Sequence, residues 1–143
     1  MKWRIILVLG CAAAVCGVLL YLLTPYTVAP QPEQLEIHQV RRVGSNTEYI
    51  DVTAQTDTEA LGQLLASCKA SRLPSYRSGG YPIDAVRYEI DAVYQNELLH
   101  IVLGDESFVY QSAPWLHMIR NGEEMAAGMD ALTGTDTTKQ QEG

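Results

Sequence analysis

The sequence has few basic residues for its size. Its 143 residues include 10 Lys and Arg against 17 Asp and Glu. Lys2 and Arg4 precede a long apolar run, so the chain beyond that run holds 8 basic and 17 acidic residues, a formal charge of −9. Such a surface repels polyanions, and it lacks the basic stripe with interleaved aromatics that is typical of nucleic-acid-binding domains. Nucleic acid is therefore not predicted as a partner.

Cysteine is also scarce. Cys11 and Cys16 lie inside the apolar run, which leaves Cys68 as the only cysteine beyond it. No disulfide can form within the remainder of the chain. Cys68 falls on the apolar stripe of a predicted helix, which indicates a buried thiol.

Motifs for catalysis, cofactors and metals are missing as well. The three histidines, which lie on separate predicted segments without the spacing of metal ligands, are His38, His100 and His117. The chain contains no G-x-S-x-G elbow for a nucleophile. Glu89 and Asp91 share the polar side of a predicted strand with Arg87, so we expect solvated carboxylates there. The sequence predicts no catalytic residue, no cofactor and no metal site, and the protein is not predicted to be an enzyme.

A single uncharged run, Ile5 to Leu23, is the strongest signal in the sequence. As a helix its 19 residues would be roughly 28 Å long, close to the thickness of the hydrocarbon core of a bilayer. A cleavable signal has a shorter apolar region followed by small residues at the cut. Here Val28-Ala29 is followed by Pro30, which is a poor cleavage site, so a retained membrane helix is favoured.

Lipidation of Cys11 is the alternative form of membrane attachment. Val8-Leu9-Gly10-Cys11 resembles a lipobox, with an aliphatic residue three positions before the cysteine and glycine directly before it. A lipid on Cys11 would leave Ala12 to Leu23 as an apolar N-terminus instead of a short polar tether. Cys11 is therefore only a minor candidate for lipidation.

Charges beside the apolar run predict its orientation. Lys2 and Arg4 are expected to stay in the cytoplasm by the positive-inside rule, which places the rest of the chain outside. The predicted organisation is a cytoplasmic stub and transmembrane signal anchor (1–23), a Pro-rich stalk (24–34), an extracytoplasmic domain (35–132) and a disordered tail (133–143).

Hydrophobic periodicity predicts the first half of the domain as a hairpin followed by a helix. Leu35–Val43 and Thr47–Gln55 flank the turn residues Gly44-Ser45-Asn46. A capping box formed by Thr56 and Glu59 would begin the helix, which is expected to end near Ala70. Its apolar stripe consists of Leu61, Leu64, Leu65 and Cys68.

The second half is predicted to be a meander of strands followed by a short helix. Alternation over Val86 to Tyr94 gives one strand, which ends in a turn at Gln95-Asn96-Glu97. Leu98–Leu103 and Ser107–Gln111 give two more strands. Asn121 would cap a last helix carrying Met125, Met129 and Leu132. The element order β-β-α-β-β-β-(α) predicts an α+β domain in which a helix covers an antiparallel sheet.

Three stretches carry a resemblance to a known family. The runs TDTEALGQLLASCK, RYEIDAVYQNELLHIVLG and SFVYQSAPWLHMI resemble small, uncharacterised extracytoplasmic domains of Gram-positive bacteria that are anchored by a lipid or a helix. The resemblance covers roughly Leu35 to Leu132 and rests on element order and on positions such as Tyr110 and Pro114. It implies this fold and an envelope location, and the family has no assigned activity.

Two segments are candidates for contact with a partner or ligand. Tyr76, Arg77 and Tyr81 lie in a glycine-containing loop, and Trp115 follows a proline. Aromatics and arginine are enriched at binding sites, although in a small domain the aromatics commonly fold over the core instead.

Three hypotheses for function follow from these observations. The leading one is a membrane-anchored, non-catalytic accessory or interaction domain in the bacterial envelope. A sensor of small ligands or glycans is the alternative, with the tyrosine loop as a lid, and an unrecognised enzyme is the third. A closed pocket lined by Tyr76, Tyr81 and Trp115 would favour a ligand, and an exposed patch of these residues would favour a protein partner.

Overall fold

The structure, a computed structural model, describes residues 2–27, 31–76, 86–112 and 115–134. Its helices are α1 (Lys2–Leu23), α2 (Thr58–Ser67) and α3 (Gly122–Thr133). Its strands are β1 (Tyr26–Thr27), β2 (Gln34–Val43), β3 (Asn46–Asp51), β4 (Lys69–Ala70), β5 (Ser75–Tyr76), β6 (Val86–Tyr94), β7 (Glu97–Gly104), β8 (Phe108–Ser112) and β9 (Trp115–Met118). A 3-10 turn at Thr53–Gln55 follows β3.

Seven of these strands form one antiparallel sheet in the order β3-β2-β6-β7-β8-β9-β5. The predicted α+β class is confirmed, and β5 and β9 extend the sheet beyond the five predicted strands. β1 and β4 form a separate two-stranded sheet, with Tyr26 opposite Ala70. The predicted stalk therefore contributes a strand that pairs with the domain.

Two tight turns set the register of the hairpins. Gly44, between β2 and β3, has φ +65°, which glycine adopts without steric cost. Gln95 and Asn96, between β6 and β7, have φ of 48° and 67°, as a two-residue turn with two left-handed positions requires. Both turns lie where the sequence predicted them.

The start of α2 differs from the prediction. Asp57, not Thr56, is the N-cap, because its carboxylate accepts hydrogen bonds from the backbone N–H groups of Glu59 at 2.9 Å and Ala60 at 3.3 Å. The Thr56 hydroxyl instead donates to the carbonyl of Val52 at 2.8 Å and is buried. The predicted capping box of Thr56 and Glu59 is wrong, because Thr56 faces the core.

The end of α2 also differs. The helix stops at Ser67 instead of continuing to Ala70, and Cys68 takes an extended conformation with ψ 123°. Residues 69 and 70 pair with β1, so strand pairing with the segment after α1 replaces the last helical turn. This interaction between distant parts of the chain overrides the local helical pattern.

α2 and α3 pack on one side of the seven-stranded sheet, which we call the helix face. The apolar stripe of α2 is confirmed, since Leu61, Leu65 and Cys68 are buried. Met125 and Met129 of α3 are buried beside them. The remaining members of this main core, contributed largely by the strands, are Ile37, Val52, Ala70, Tyr88, Ile90, Leu99, Ile101, Leu103, Val109, Ile119 and Ala126.

The opposite side of the sheet, which we call the second face, has a smaller apolar cluster. Its buried members are Val40, Val86, Val102, Phe108 and Leu116. They come from five different strands, so this cluster holds the centre of the sheet together across its width.

A polar network connects the sheet to α3. Arg87 Nη2 donates to one carboxylate oxygen of Asp130, and the Tyr88 hydroxyl donates to the other at 2.8 Å. Gln39 Nε2 donates to the same Tyr88 hydroxyl at 3.3 Å. The expectation that Arg87 shares one side of the strand with Glu89 and Asp91 is wrong, because the irregular register between Val86 and Tyr88 lets Arg87 reach α3.

Candidate functional site

α1 contains a span long and apolar enough to cross a membrane. Ile5–Leu23 has a mean hydropathy of 2.7, and none of it is buried against the rest of the protein. The other two helices that the structure describes, α2 and α3, bury their apolar sides in the core. Length and composition fit a transmembrane helix or a signal anchor. Cys11 is exposed on this helix.

Two of the predicted contact residues come together at one edge of the sheet. Tyr76 in β5 lies directly opposite Trp115 in β9. Their rings form an edge-to-face pair with centroids 5.5 Å apart. The other two candidates, Arg77 and Tyr81, lie outside the described residues. The sequence predicted Tyr76 and Trp115 as contact residues in two separate segments. The pairing of β5 with β9 makes them neighbours.

These two aromatic side chains are exposed. Tyr76 is 63% exposed and Trp115 is 48% exposed. We call these two residues the aromatic edge. The alternative that Tyr76 and Trp115 fold over the core is therefore wrong. A pair of exposed aromatic side chains is typical of a surface that a partner covers.

The backbone of β5 adds a second feature to the aromatic edge. Among the described residues β5 is the terminal strand of the sheet, and β9 is its neighbour on one side. A terminal strand presents backbone N–H and C=O groups on its outer side, to which an extended peptide can add by β-augmentation. Within the part of the chain that the structure describes, this edge therefore offers both side-chain and backbone contacts.

A histidine and an aspartate meet on the second face. His100 Nδ1 lies 2.5 Å from Asp91 Oδ1, and the His100 ring is edge-to-face with Tyr110 at 6.5 Å. The two-residue turn after Tyr94 fixes the register of β6 and β7, which puts Asp91 opposite His100. Counting back from that turn would have found the pair in the sequence.

This pair alone does not make an active site. A histidine held by a carboxylate is the base and its orienting group in a catalytic triad, and the chemistry also requires an adjacent nucleophile and oxyanion donors. Both side chains are partly exposed on the sheet. The arrangement stabilises the packing of β6 on β7 as a cross-strand ion pair whenever His100 is protonated.

Cys68 is buried, as the sequence predicted. Burial raises the pKa of its thiol to about 12, so the thiol keeps its proton at neutral pH. Only the thiolate is a strong nucleophile, and the side chain therefore acts as a small apolar group in the core.

A groove lies between α2 and the segment that precedes β2. Its volume is about 700 Å³, and it is lined by Pro32, Leu35, Leu61 and Leu65 together with polar groups such as Glu33 and Gln63. The volume is within the range of small-molecule sites. Tyr76 and Trp115 are not among the groove's lining residues, so it is separate from the aromatic edge.

Comparison of the chain with protein-family models, with curated proteins and with solved structures finds no match. The geometry of the described residues is therefore the basis for a functional assignment.

Proposed function

We propose that this protein is a single-pass membrane protein that presents a non-catalytic α+β domain outside the cytoplasmic membrane as an interaction module. The observation that carries the proposal is the exposed aromatic pair formed by Tyr76 on β5, the terminal strand of the described sheet, and Trp115 on the neighbouring strand β9. The partner is a protein of the cell envelope that covers the aromatic edge.

The membrane topology rests on α1 and its flanking charges. Lys2 and Arg4 precede Ile5–Leu23, and the positive-inside rule favours their retention in the cytoplasm. The domain that follows α1 then lies outside. The resemblance to anchored extracytoplasmic domains of Gram-positive bacteria supports the same location, and we propose that the chain is related to them.

The mode of binding combines two kinds of contact. An extended segment of the partner adds to the outer side of β5, and its side chains pack on Tyr76 and Trp115. Burying the two aromatic rings supplies most of the affinity, because aromatic side chains dominate the energetics of protein interfaces. The acidic net charge of the chain favours a partner with a basic or neutral surface.

Photo-crosslinking in native membranes tests this proposal. A photoreactive amino acid replaces Tyr76 or Trp115 singly, and Tyr49 serves as the matched control because it is 50% exposed on β3, at the opposite edge of the sheet. We expect one discrete protein adduct from each of the first two positions and none from the control. Adducts of equal yield at all three positions, or only at Tyr49, would contradict the proposal.

Membrane attachment is tested separately with Cys11→Ser. A retained helix predicts that this variant stays in the membrane fraction and resists extraction by carbonate, since the helix and not a lipid holds it. Release into the soluble fraction would instead assign the attachment to lipidated Cys11.

A small-ligand sensor is the second candidate function, and the groove beside α2 favours it. Ligand binding there would raise the melting temperature of the full chain by mass action. Leu61 lines this groove, so a ligand-induced shift that disappears in Leu61→Met and persists in Trp115→Ala would place the ligand in the groove and not at the aromatic edge.

A further inference from the structure

A small cleft lies at the junction between α1 and the domain. It has a volume of about 300 Å³ and is lined by Tyr21 and Leu22 of α1, Tyr26 of β1, Arg72 after β4, and His117 of β9. The last turn of the apolar helix thus forms one wall, and three segments of the domain form the others. We call it the junction cleft.

Arg72 is the main charged group of the junction cleft. Its Nη1 donates to the Tyr21 hydroxyl at 3.2 Å, and its guanidinium carbon lies 4.4 Å from the centre of the Tyr21 ring. The guanidinium is also 5.9 Å from the Tyr26 ring. Two aromatic rings therefore fix the position of this cation by cation–π contact, which leaves its remaining donors in place for an anion.

Two buried donors in the junction cleft lack a hydrogen-bond partner among the described residues. They are the Arg72 Nε–H and the Tyr26 hydroxyl. Burial raises the pKa of Tyr26, so this hydroxyl keeps its proton and remains able to donate. A buried donor without a partner costs stability, so such a group in a folded protein indicates that an acceptor atom, of water or of a ligand, lies beside it.

The Nδ1 atom of His117 already has a hydrogen-bond partner, so it does not contact the anion. Its Nδ1 lies 2.8 Å from the carbonyl oxygen of Ser71, so this nitrogen carries a proton and donates to that carbonyl. The ring is edge-to-face with Tyr26 at 5.8 Å, which helps to hold the tyrosine in position.

A second arginine marks the depth of this region relative to a membrane. Arg120 Nη2 donates to the carbonyl oxygen of Leu23, the last residue of α1, at 2.9 Å. Its backbone N–H donates to the carbonyl of Lys69, so a third basic residue lies beside it. With Ile5–Leu23 in the hydrocarbon core, these residues and Arg72 lie at the level of the lipid headgroups.

We propose that the junction cleft binds the phosphate of an anionic phospholipid, with the Arg72 guanidinium and the Tyr26 hydroxyl as donors. Phosphate oxygens are acceptors only, and they match a cleft whose unpaired groups are donors. The overall acidic domain repels soluble polyanions, whereas a lipid phosphate is delivered at the depth of the cleft by the bilayer itself. Binding would fix the orientation of the domain on the membrane surface.

The proposal rests on the membrane-spanning part of the proposed function and not on the protein partner. Its test therefore uses lipid retention, which is independent of crosslinking at the aromatic edge. Release of Cys11→Ser from the membrane would contradict the transmembrane anchor, whereas a negative lipid result with the variant still in the membrane would contradict only the lipid site.

The experiment reconstitutes the full chain into nanodiscs of equimolar phosphatidylcholine and phosphatidylglycerol, followed by native mass spectrometry of the lipids that stay bound. We expect phosphatidylglycerol to be retained over phosphatidylcholine by about fivefold, the effect of one basic residue at a membrane surface. Arg72→Gln should abolish this preference. Arg41→Gln is the matched control, because Arg41 is an exposed arginine on β2 and its loss changes the net charge equally.

Tyr26→Phe keeps the charge and removes one donor, so it separates a built site from general attraction between arginine and the membrane. We expect it to weaken the preference for phosphatidylglycerol, and it decides the question if Arg72→Gln fails to fold. Equal retention of both lipids by the natural sequence, or equal loss in Arg41→Gln, would overturn the proposal. Displacement of the lipid by millimolar inorganic phosphate would assign the site to free phosphate instead.

Discussion

The two faces of the seven-stranded sheet are built differently. On the helix face, α2 and α3 bury an apolar core that extends from Ile37 in β2 to Val109 in β8. On the second face, the buried cluster is smaller and lies beside partly exposed charged pairs such as Asp91 with His100. The helix face therefore supplies most of the stability, since hydrophobic stabilisation scales with the apolar area that is buried. Matched substitutions on the two faces test this difference.

The largest difference is expected for Leu→Ala substitutions. Leu65 is fully buried between α2 and the sheet, so Leu65→Ala should lower the free energy of unfolding by about 2 to 5 kcal/mol. Leu98 is 55% exposed on the second face, so Leu98→Ala should change the free energy of unfolding by less than about 0.5 kcal/mol. Urea denaturation of the full chain in detergent micelles measures both. Equal losses would show that the second face contributes as much as the helix face.

Asp→Asn substitutions test the polar groups of the two faces. Asp130 accepts hydrogen bonds from Arg87 and Tyr88, so Asp130→Asn should cost about 1.5 to 3 kcal/mol, the range for bonds to charged groups. Asp91→Asn removes a more exposed pair with His100 and should cost at most about 1 kcal/mol. The same denaturation experiment reports the two values. A larger loss in Asp91→Asn would reverse the ranking of the faces.

Close packing of α3 predicts an effect of added volume. A methyl group at Gly122 would overlap the side chain of Ser107, so Gly122→Ala should cost about 1 to 3 kcal/mol. At Gly128 the methyl would meet the Leu64 Cδ1 atom at 2.6 Å, and this flexible side chain can move. The higher helix propensity of alanine offsets that shift, so Gly128→Ala should be nearly neutral. Melting temperatures distinguish the two variants, and a neutral Gly122→Ala would show that α3 is loosely held.

The smallest effect concerns the pH dependence of the helix face. The pKa of Cys68 is raised from 9.0 to about 12, so the folded state holds this proton more tightly than the unfolded state. Its contribution is complete below pH 9 and is lost as the pH rises towards 12. Between pH 7 and pH 10 the free energy of unfolding of the natural sequence should therefore fall by about 1.4 kcal/mol more than that of Cys68→Ala.

Urea midpoints at pH 7 and pH 10 for the two proteins check this value. Burial is the main cause that raises the pKa values of Tyr26 and Tyr94, so most of their titration is common to both proteins, and only the smaller contribution of Cys68 to these two pKa values is lost in Cys68→Ala. An identical loss in the two proteins would mean that the thiol is not shielded from water.

The sequence alone determined much of the fold. Alternation predicted β6 over Val86 to Tyr94, with the bounds that the structure has. The apolar stripe of α2 and the turns at Gly44 and at Gln95-Asn96 were also correct, because each depends on residues close together in the chain. The apolar run Ile5–Leu23 was equally clear, because a long uncharged stretch needs no tertiary information to be recognised.

Tertiary structure decided the candidate sites. β5 and β9 are too short for periodicity to detect, and only their pairing brings Tyr76 to Trp115. The junction cleft combines Tyr21 with Arg72, which are 51 positions apart in the sequence. The pairing of β1 with β4 is also a contact between distant segments, and it ends α2 earlier than the local pattern predicted. Local patterns set which residues form helices and strands, whereas sites depend on contacts between distant segments, which no local pattern encodes.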